Sequence, residues 1–230
     1  MKKIKHKIII RAHGATKDTY EELKQKKIEI KDLTCPNVLK THEIAEKYSK
    51  ENFFIIVIGI KNHAEAIGTL SFCGNNSFLV QEKEDIEECI ERIRKTGIDK
   101  ILIMAQTTYN SKKFDYVVEL LKEKLINKIL VIRKTICGAT EQRQKETIEL
   151  AQKVDTMIIV GDKKSSNTNK LYDIASEICK KVIFVQDAEE LNLKELCETK
   201  KLGIMAGAST PKEDIEKVVN KIRSEELCCI

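Results

Sequence analysis

Short runs of β-branched and aliphatic residues alternate along this chain with longer stretches in which apolar residues recur at spacings of three and four. The runs are Ile8 to Arg11, Ile55 to Ile60, Lys100 to Ala105, Ile129 to Arg133, Met157 to Val160, Val182 to Val185 and Leu202 to Ala206. Continuous apolar runs of strand length predict strands covered on both faces, as in parallel sheets. The stretches Glu43 to Lys50, Ile86 to Lys95, Asp115 to Lys124, Glu141 to Lys153 and Glu213 to Arg223 predict amphipathic helices. Strand and helix in regular alternation predict an α/β fold built from parallel sheets with crossover helices.

The pattern also repeats. Thr34-Cys35-Pro36 and Thr135-Ile136-Cys137 each set a cysteine between a strand-like and a helix-like run, 102 positions apart. Ile58-Gly59-Ile60-Lys61 answers Val160-Gly161-Asp162-Lys163 at the same offset, and Ile103-Met104-Ala105 returns as Ile204-Met205-Ala206. Ile10-Arg11-Ala12-His13 is a third copy of that last element. Read as internal repeats, these predict a pseudo-threefold trefoil of three small parallel-sheet α/β lobes. Residues 1–36 are then a remnant of the first lobe, 37–133 the second, and 134–230 the third with a C-terminal helix. Lobes this small bury modest cores, so they are expected to pack together and build a site at their shared centre.

Composition narrows the function classes. Hydrophobic content of 42% and charge of 33% suit a soluble globular protein. The longest apolar run, Phe53 to Ile58, falls far short of the roughly 20 residues a membrane helix needs. The charged start, Met1 to Lys7, lacks the long apolar core of a signal peptide, and a cytoplasmic location is expected. Net charge is +5, spread along the chain, with 5% aromatics and no tryptophan. That is not the basic, stacking surface of a single-strand binder, and it suits an anionic small molecule. No nucleic acid and no membrane are expected as partners. Eight cysteines in a chain of this kind point to a reducing compartment and to thiols that bind metal or do chemistry. The terminal Cys228-Cys229-Ile230 is not a prenylation box.

The candidate chemistry falls just after strands, where open α/β sheets collect ligands. Ser165-Ser166-Asn167-Thr168-Asn169 could simply cap a helix, but one cap needs one residue. Hydroxyls, an amide and free N–H groups at a helix start also make a phosphate cradle, a reading only slightly ahead of capping. Thr107-Thr108 and Ser209-Thr210 hold equivalent places, and three such turns would converge on one anion. His13 and His63 are two of four histidines. A lone histidine is more often a surface residue, yet two in matching turns suit phosphate binding or proton transfer. Glu65 is either a solvated helix-start carboxylate or, in a site crowded with anions, a proton donor with a raised pKa. Cys35 and Cys137 could be small buried hydrophobes. Their matched helix-start positions instead suit metal-binding thiolates, and three such positions would hold a cubane cluster with one iron open. Cys73, Cys89, Cys179, Cys197, Cys228 and Cys229 lack this placement and read as structural or incidental, and without a CxxC pair a zinc ribbon is not expected.

These residues resemble a known family. Arg11-Ala12-His13-Gly14, Thr34-Cys35-Pro36, His63-Ala64-Glu65 with Gly68-Thr69, Gln106-Thr107-Thr108, Thr135-Ile136-Cys137-Gly138-Ala139-Thr140 with Arg143-Gln144, Ser165-Ser166-Asn167-Thr168 and Gly207-Ala208-Ser209-Thr210-Pro211 are similar, in order, to the LytB family of 4-hydroxy-3-methylbut-2-enyl diphosphate reductases. The resemblance implies an iron-sulfur reductase of the methylerythritol phosphate route to isoprenoids. Its [4Fe-4S] cluster would take Cys35 and Cys137 among three cysteine ligands. The allylic diphosphate substrate would lie among His13, His63, Thr108, Ser165, Ser166, Asn167 and Ser209. Glu65, relayed through Thr107, would supply protons, and ferredoxin or flavodoxin the electrons. Two departures stand out: Ala64 replaces a proline usual in the family, and the family's leading Gly-Phe-Cys segment, with the first cluster cysteine and a further histidine, has no counterpart. The expectation is therefore a labile cluster and activity below that of an intact enzyme. The alternatives are a clusterless isoprenoid-diphosphate-binding remnant, or one half of a split reductase completed by a separate N-terminal fragment.

Overall fold

The computed structural model describes residues 7–226; the readings made on residues before Lys7 and on Cys228-Cys229-Ile230 lie outside the described residues. Two compact units divide the chain, Met1–Cys137 and Gly138–Ile230. The expected α/β class holds: among the described residues every strand pairing is parallel, in sheets of two, four and three strands.

The first unit carries strands β1 (Lys7–Ile10), β2 (Glu29–Asp32), β3 (Phe54–Ile58), β4 (Ser77–Val80), β5 (Lys100–Ala105) and β6 (Ile129–Arg133). Its helices are α1 (Lys17–Gln25), α2 (Pro36–Lys50), α3 (Ala64–Cys73), α4 (Ile86–Thr96) and α5 (Ser111–Lys124). β1 pairs with β2, and the larger sheet runs β4-β3-β5-β6. Every residue of β3 is buried, because alternate side chains of a strand leave on opposite faces and both faces are covered here. Phe54, Ile56 and Ile58 join Ile101, Ile103 and Phe114 on one face; Ile55, Val57, Leu102 and Met104 join Tyr48 and Phe53 on the other. Each such side chain contributes about 1.5–3 kcal/mol on burial, so β3 and β5 form the rigid frame. Their register pairs Ile58 with Ala105, which brings the turns that follow, 59–63 and 106–110, level with each other.

The second unit carries α6 (Gly138–Ala151), β7 (Thr156–Val160), α7 (Ser166–Ile178), β8 (Lys181–Val185), β9 (Leu202–Ala206) and α8 (Lys212–Glu226), with strand order β8-β7-β9. The internal repeat is visible in its hydrogen bonds. Gly59 N–H donates to Val80 O at 3.0 Å, and Gly161 N–H to Val185 O at 2.9 Å. Gln106 N–H donates to Ile58 O at 2.8 Å, and Gly207 N–H to Val160 O at 3.0 Å. The same turn is thus built twice.

Several strand ends differ from the sequence reading, for local reasons. β3 stops at Ile58 rather than Ile60 because Gly59 N–H bonds to Val80 O and Ile60 N–H bonds to the side chain of Gln106. α2 starts at Pro36, well before Glu43, because proline at the first helical position loses no bond. The sequence reading lacks β2, β4 and α1, and of α3 and α7 it has only the starts, near Glu65 and at Ser165. The strand Glu-Ile-Lys-Asp of β2 is charged, and three of its four residues are exposed, so it carries no alternation to read.

Candidate functional site in the βα turns

In the larger sheet of the first unit the chain passes from β3 outward to β4, then back across to β5 on β3's other side. Such a reversal opens a crevice beyond the carboxyl ends of the two strands. His63 and Glu65 follow β3, and Thr107 and Thr108 follow β5, so the sheet brings these four sequence candidates to that crevice. His13, in the turn after β1, joins them: its ring meets the His63 ring edge-on with centroids 5.4 Å apart. The His13 turn depends on Gly14, whose φ of 77° is costly for other residues.

His63 is the N-cap of α3, and its Nδ1 accepts from the Glu65 N–H at 3.2 Å. An Nδ1 that accepts leaves the ring proton on Nε2, which is then the donor. Burial, and secondarily the neighbouring His13, lower the His63 pKa, so the ring is neutral at pH 7. Glu65 is 1% exposed, and its carboxylate accepts from the Thr107 N–H at 2.6 Å. Burial raises the Glu65 pKa, opposed by the hydrogen bonds from Thr107. The direction matches the sequence reading, but the cause here is desolvation rather than crowding by anions.

The two singled-out cysteines are anchored in the same manner. Cys35 N–H donates to Ala12 O at 3.0 Å, and Cys137 N–H donates to Thr107 O at 2.9 Å. The Thr107 peptide therefore ties Glu65 on one side to Cys137 on the other. Thr135 fixes the approach to Cys137 by accepting from Ala105 N–H at 2.9 Å. Cys35 is the N-cap of α2, and Asn37, in the first turn of that helix, donates from Nδ2 to the Cys137 sulfur at 3.1 Å. Cys137 thus lies against the start of the helix that Cys35 begins. Both sulfurs are partly exposed and free, a donor chemistry that fits an iron-sulfur group. Among the described residues no group of three or more His, Cys, Asp or Glu is placed to hold a metal ion. Cys73 and Cys89 are buried, with thiols pushed up to about 12 by desolvation, so they are inert. Cys179 is buried and Cys197 exposed.

In the second unit the same sheet reversal places Ser165, Ser166 and Asn167 after β7 and Ser209 after β9. The polar run divides its labour. Ser165 caps α7, accepting from Thr168 N–H at 3.4 Å, and Asn169 ties back to Lys163 O at 2.6 Å. Capping therefore accounts for part of the run. It does not account for Asn167, which is 7% exposed with both amide atoms lacking a partner, nor for the buried Thr168 hydroxyl, which lacks one too. Unpaired buried polar atoms cost about 1–3 kcal/mol each, so capping alone does not explain why an amide is kept at this position. Ser209 is exposed and lines a cleft of about 490 Å³ with Gly161, Lys164 and Thr210. Asp162, Asp187 and Asp214 also face that cleft, against the one lysine, so its net charge does not itself favour an anion.

Asn167, which the sequence reading names, stands 102 positions after Glu65, the repeat offset, so the two are counterparts. Two further residues carry site geometry that the sequence reading passes over. Asn37 lies two positions after Cys35, but its reach to Cys137 spans 100 residues and has no local signal. His42, on α2, is 4% exposed with neither ring nitrogen paired. It stacks on Phe72 at 4.4 Å, and burial lowers its pKa to about 4. A Cβ on Gly14 would lie 3.0 Å from its ring, so this neutral imidazole backs the His13 turn.

The chain is similar to known proteins along nearly its whole length. The model of the LytB protein family matches residues 1–223. The 4-hydroxy-3-methylbut-2-enyl diphosphate reductase of Caldanaerobacter subterraneus subsp. tengcongensis is 40% identical over 218 residues, covering 95% of this chain and 73% of that protein. The reductase of the same name from Helicobacter pylori strain P12 is 40% identical over 215 residues, covering 94% and 76%. Among solved structures, the E-1-hydroxy-2-methyl-but-2-enyl-4-diphosphate reductase of Plasmodium falciparum superposes with a TM-score of 0.84 at 30% identity, covering 94% of this chain and 67% of that one. A family model spanning nearly the whole chain, relatives at this identity and a fold of this likeness lead to one statement: the chain belongs to the LytB family.

Proposed function

We propose that the chain is an oxidoreductase that removes the hydroxyl of 4-hydroxy-3-methylbut-2-enyl diphosphate, giving isopentenyl and dimethylallyl diphosphate in the non-mevalonate route to isoprenoids. The observation that carries this reading is Glu65: a buried carboxyl with a raised pKa, held by Thr107 at the β3–β5 crevice beside a neutral histidine. That is the arrangement of a proton donor. Family membership supplies the substrate, whose name the relatives carry.

In this reading Nε2–H of His63, together with His13 and Thr108, binds diphosphate oxygens in the first unit. Ser165, Ser166, Asn167 and Ser209 do so in the second. Neutral His63 donates a hydrogen bond without carrying a charge of its own, so it orients the anion rather than merely attracting it. Glu65 delivers protons by way of the Thr107 hydroxyl: one lets the substrate hydroxyl leave as water and one goes to the allylic carbon, matching the two electrons taken up. Both side chains are buried, which keeps bulk water from competing for the proton. Cys35 and Cys137 would hold two corners of a [4Fe-4S] cluster. When bound, that group supplies electrons and a Lewis-acidic iron for the departing oxygen. Ferredoxin or flavodoxin, delivering one electron at a time in the cytoplasm, completes the proposal, as does the three-lobe division at 36 and 133.

The test is anaerobic turnover. Protein reconstituted with iron and sulfide, and given a reduced viologen donor, should convert the substrate to both products. Glu65→Gln should lower kcat on the order of 10²-fold. Substrate binding without product, in protein with a full iron complement, would defeat the reductase reading. A second reading is favoured by one observation, that the described residues bring no third His, Cys, Asp or Glu to the two thiols. On that reading the chain binds isoprenoid diphosphates without reducing them, or reduces them only with a separate fragment that brings a thiolate. Iron-free protein that binds the substrate, and gains turnover only on adding such a fragment, would establish it.

A further inference from the structure

Gln106 is 0% exposed, sits at the first step after β5, and spends its side chain on the neighbouring turn. Its Oε1 accepts from Ile60 N–H at 2.9 Å. A backbone N–H can only donate, so this bond settles which end of the amide is oxygen. Nε2 therefore faces Thr108 and donates to its Oγ1 at 3.0 Å. Glu65 reaches the other way, from the β3–α3 turn to Thr107 N–H in the β5–α5 turn. The two turns are thus laced by reciprocal side-chain bonds.

The repeat shows that this is a choice rather than a demand of the fold. Gln106 and Gly207 are counterparts at an offset of 101, and Ala66 and Thr168 at 102. In the first unit the slot between the turns holds Gln106 beside a small Ala66, and a Cβ on Gly59 would touch both, at 3.2 Å and 3.6 Å. In the second unit the slot is filled from the other side. Thr168 occupies it, and a Cβ on Gly207 would lie 2.2 Å from its hydroxyl oxygen. That hydroxyl is buried and has no partner. Filling the slot needs only a side chain of suitable volume; Gln106 also makes directed bonds to both turns.

We propose that Gln106 is a positioning residue: it locks the β3–α3 turn to the β5–α5 turn and sets the direction in which Thr108 presents its hydroxyl to the substrate diphosphate. Because Nε2–H donates a hydrogen bond to Thr108 Oγ1, the Thr108 hydrogen points away from Gln106. The proposal rests on the diphosphate reading of Thr108 given above.

The test is a double-mutant cycle read by calorimetric binding of inorganic pyrophosphate to the full chain. Gln106→Met keeps the volume and removes both bonds. It should weaken pyrophosphate about tenfold in the Thr108 background, the effect of one lost hydrogen bond, and should have no further effect in a Thr108→Val background. Equal losses in both backgrounds, or none in either, would overturn the role through Thr108. Amide hydrogen exchange gives a reading that does not need ligand. In Gln106→Met both turns, 59–63 and 106–110, should exchange faster, whereas in Gln106→Glu, which keeps the acceptor for Ile60 N–H, only the second should. Unchanged exchange in both variants would refute the lock. If wild-type protein fails to bind pyrophosphate while the exchange result holds, the diphosphate reading falls and the lock between the turns stands.

Discussion

Glu65 and Asn167 hold the same step of the repeat but different environments. The first is buried and bonded to Thr107, while the second is buried with both amide atoms unpaired. Each makes a prediction. Asn167→Leu removes two unpaired polar atoms, so ligand-free protein should gain about 1 kcal/mol or lose none, measured by urea unfolding, while pyrophosphate binding falls at least tenfold. Stability and affinity moving together would contradict the account. For Glu65 the sign follows from its raised pKa. The folded state holds the proton more tightly than the unfolded chain, so stability falls as pH rises from the ordinary carboxylate range through the folded pKa. Glu65→Gln removes that loss. Its unfolding temperature should exceed wild type at pH 7, and the difference should shrink as pH falls toward 4. A difference independent of pH would mean that desolvation of the carboxylate is not the cause. The residue types in these turns could be read from the sequence, because polar residues after apolar runs stand out. Their pairing could not, since Thr107 and Glu65 are 42 residues apart, and burial, not composition, decides which of them titrates abnormally.

At the scale of elements, the strands that could be read were those with continuous apolar runs, although such a run predicts cover on both faces and no residue of β6 is buried. β5, β6 and β9 match the apolar runs residue for residue, and β3 and β7 come within two residues at either end. β2 and β4, which lie at sheet edges or carry mixed exposure, have no periodic signature. α3 is legible only at its start, for a different reason: Ala-Glu-Ala-Ile-Gly-Thr-Leu-Ser-Phe-Cys is weakly amphipathic because much of it is enclosed, so no polar face alternates with an apolar one. Close packing of turn against helix makes the second unit's site fragile at one point. Gly207→Ala would drive a Cβ into the Thr168 hydroxyl, and since overpacking costs about 1–3 kcal/mol, the variant should unfold earlier in urea by that amount. A Gly207→Ala, Thr168→Ala pair should recover most of it. No recovery in the double variant would place the strain elsewhere.

For the whole molecule, the repeat was the most legible feature, since equal offsets in sequence became equal hydrogen bonds around Gly59 and Gly161 and around Gln106 and Gly207. Repetition fixes where a turn falls; it leaves open what each copy does with it. One copy carries a carboxyl and a locking glutamine, the other an unpaired amide and a capping serine. Iron should follow the cysteines in the same specific way. After anaerobic reconstitution, Cys35→Ser and Cys137→Ser should each lower bound iron per chain, and Cys197→Ser, an exposed cysteine with no such placement, should not. The most direct test of the central claim, that these turns bind an allylic diphosphate, is calorimetric titration of 4-hydroxy-3-methylbut-2-enyl diphosphate into the purified chain. The account predicts saturable binding that weakens at least tenfold in a Ser165→Ala, Asn167→Ala double variant and again in His63→Ala, as loss of charge-assisted hydrogen bonds requires. Absence of saturable binding, or binding untouched by either change, would contradict it.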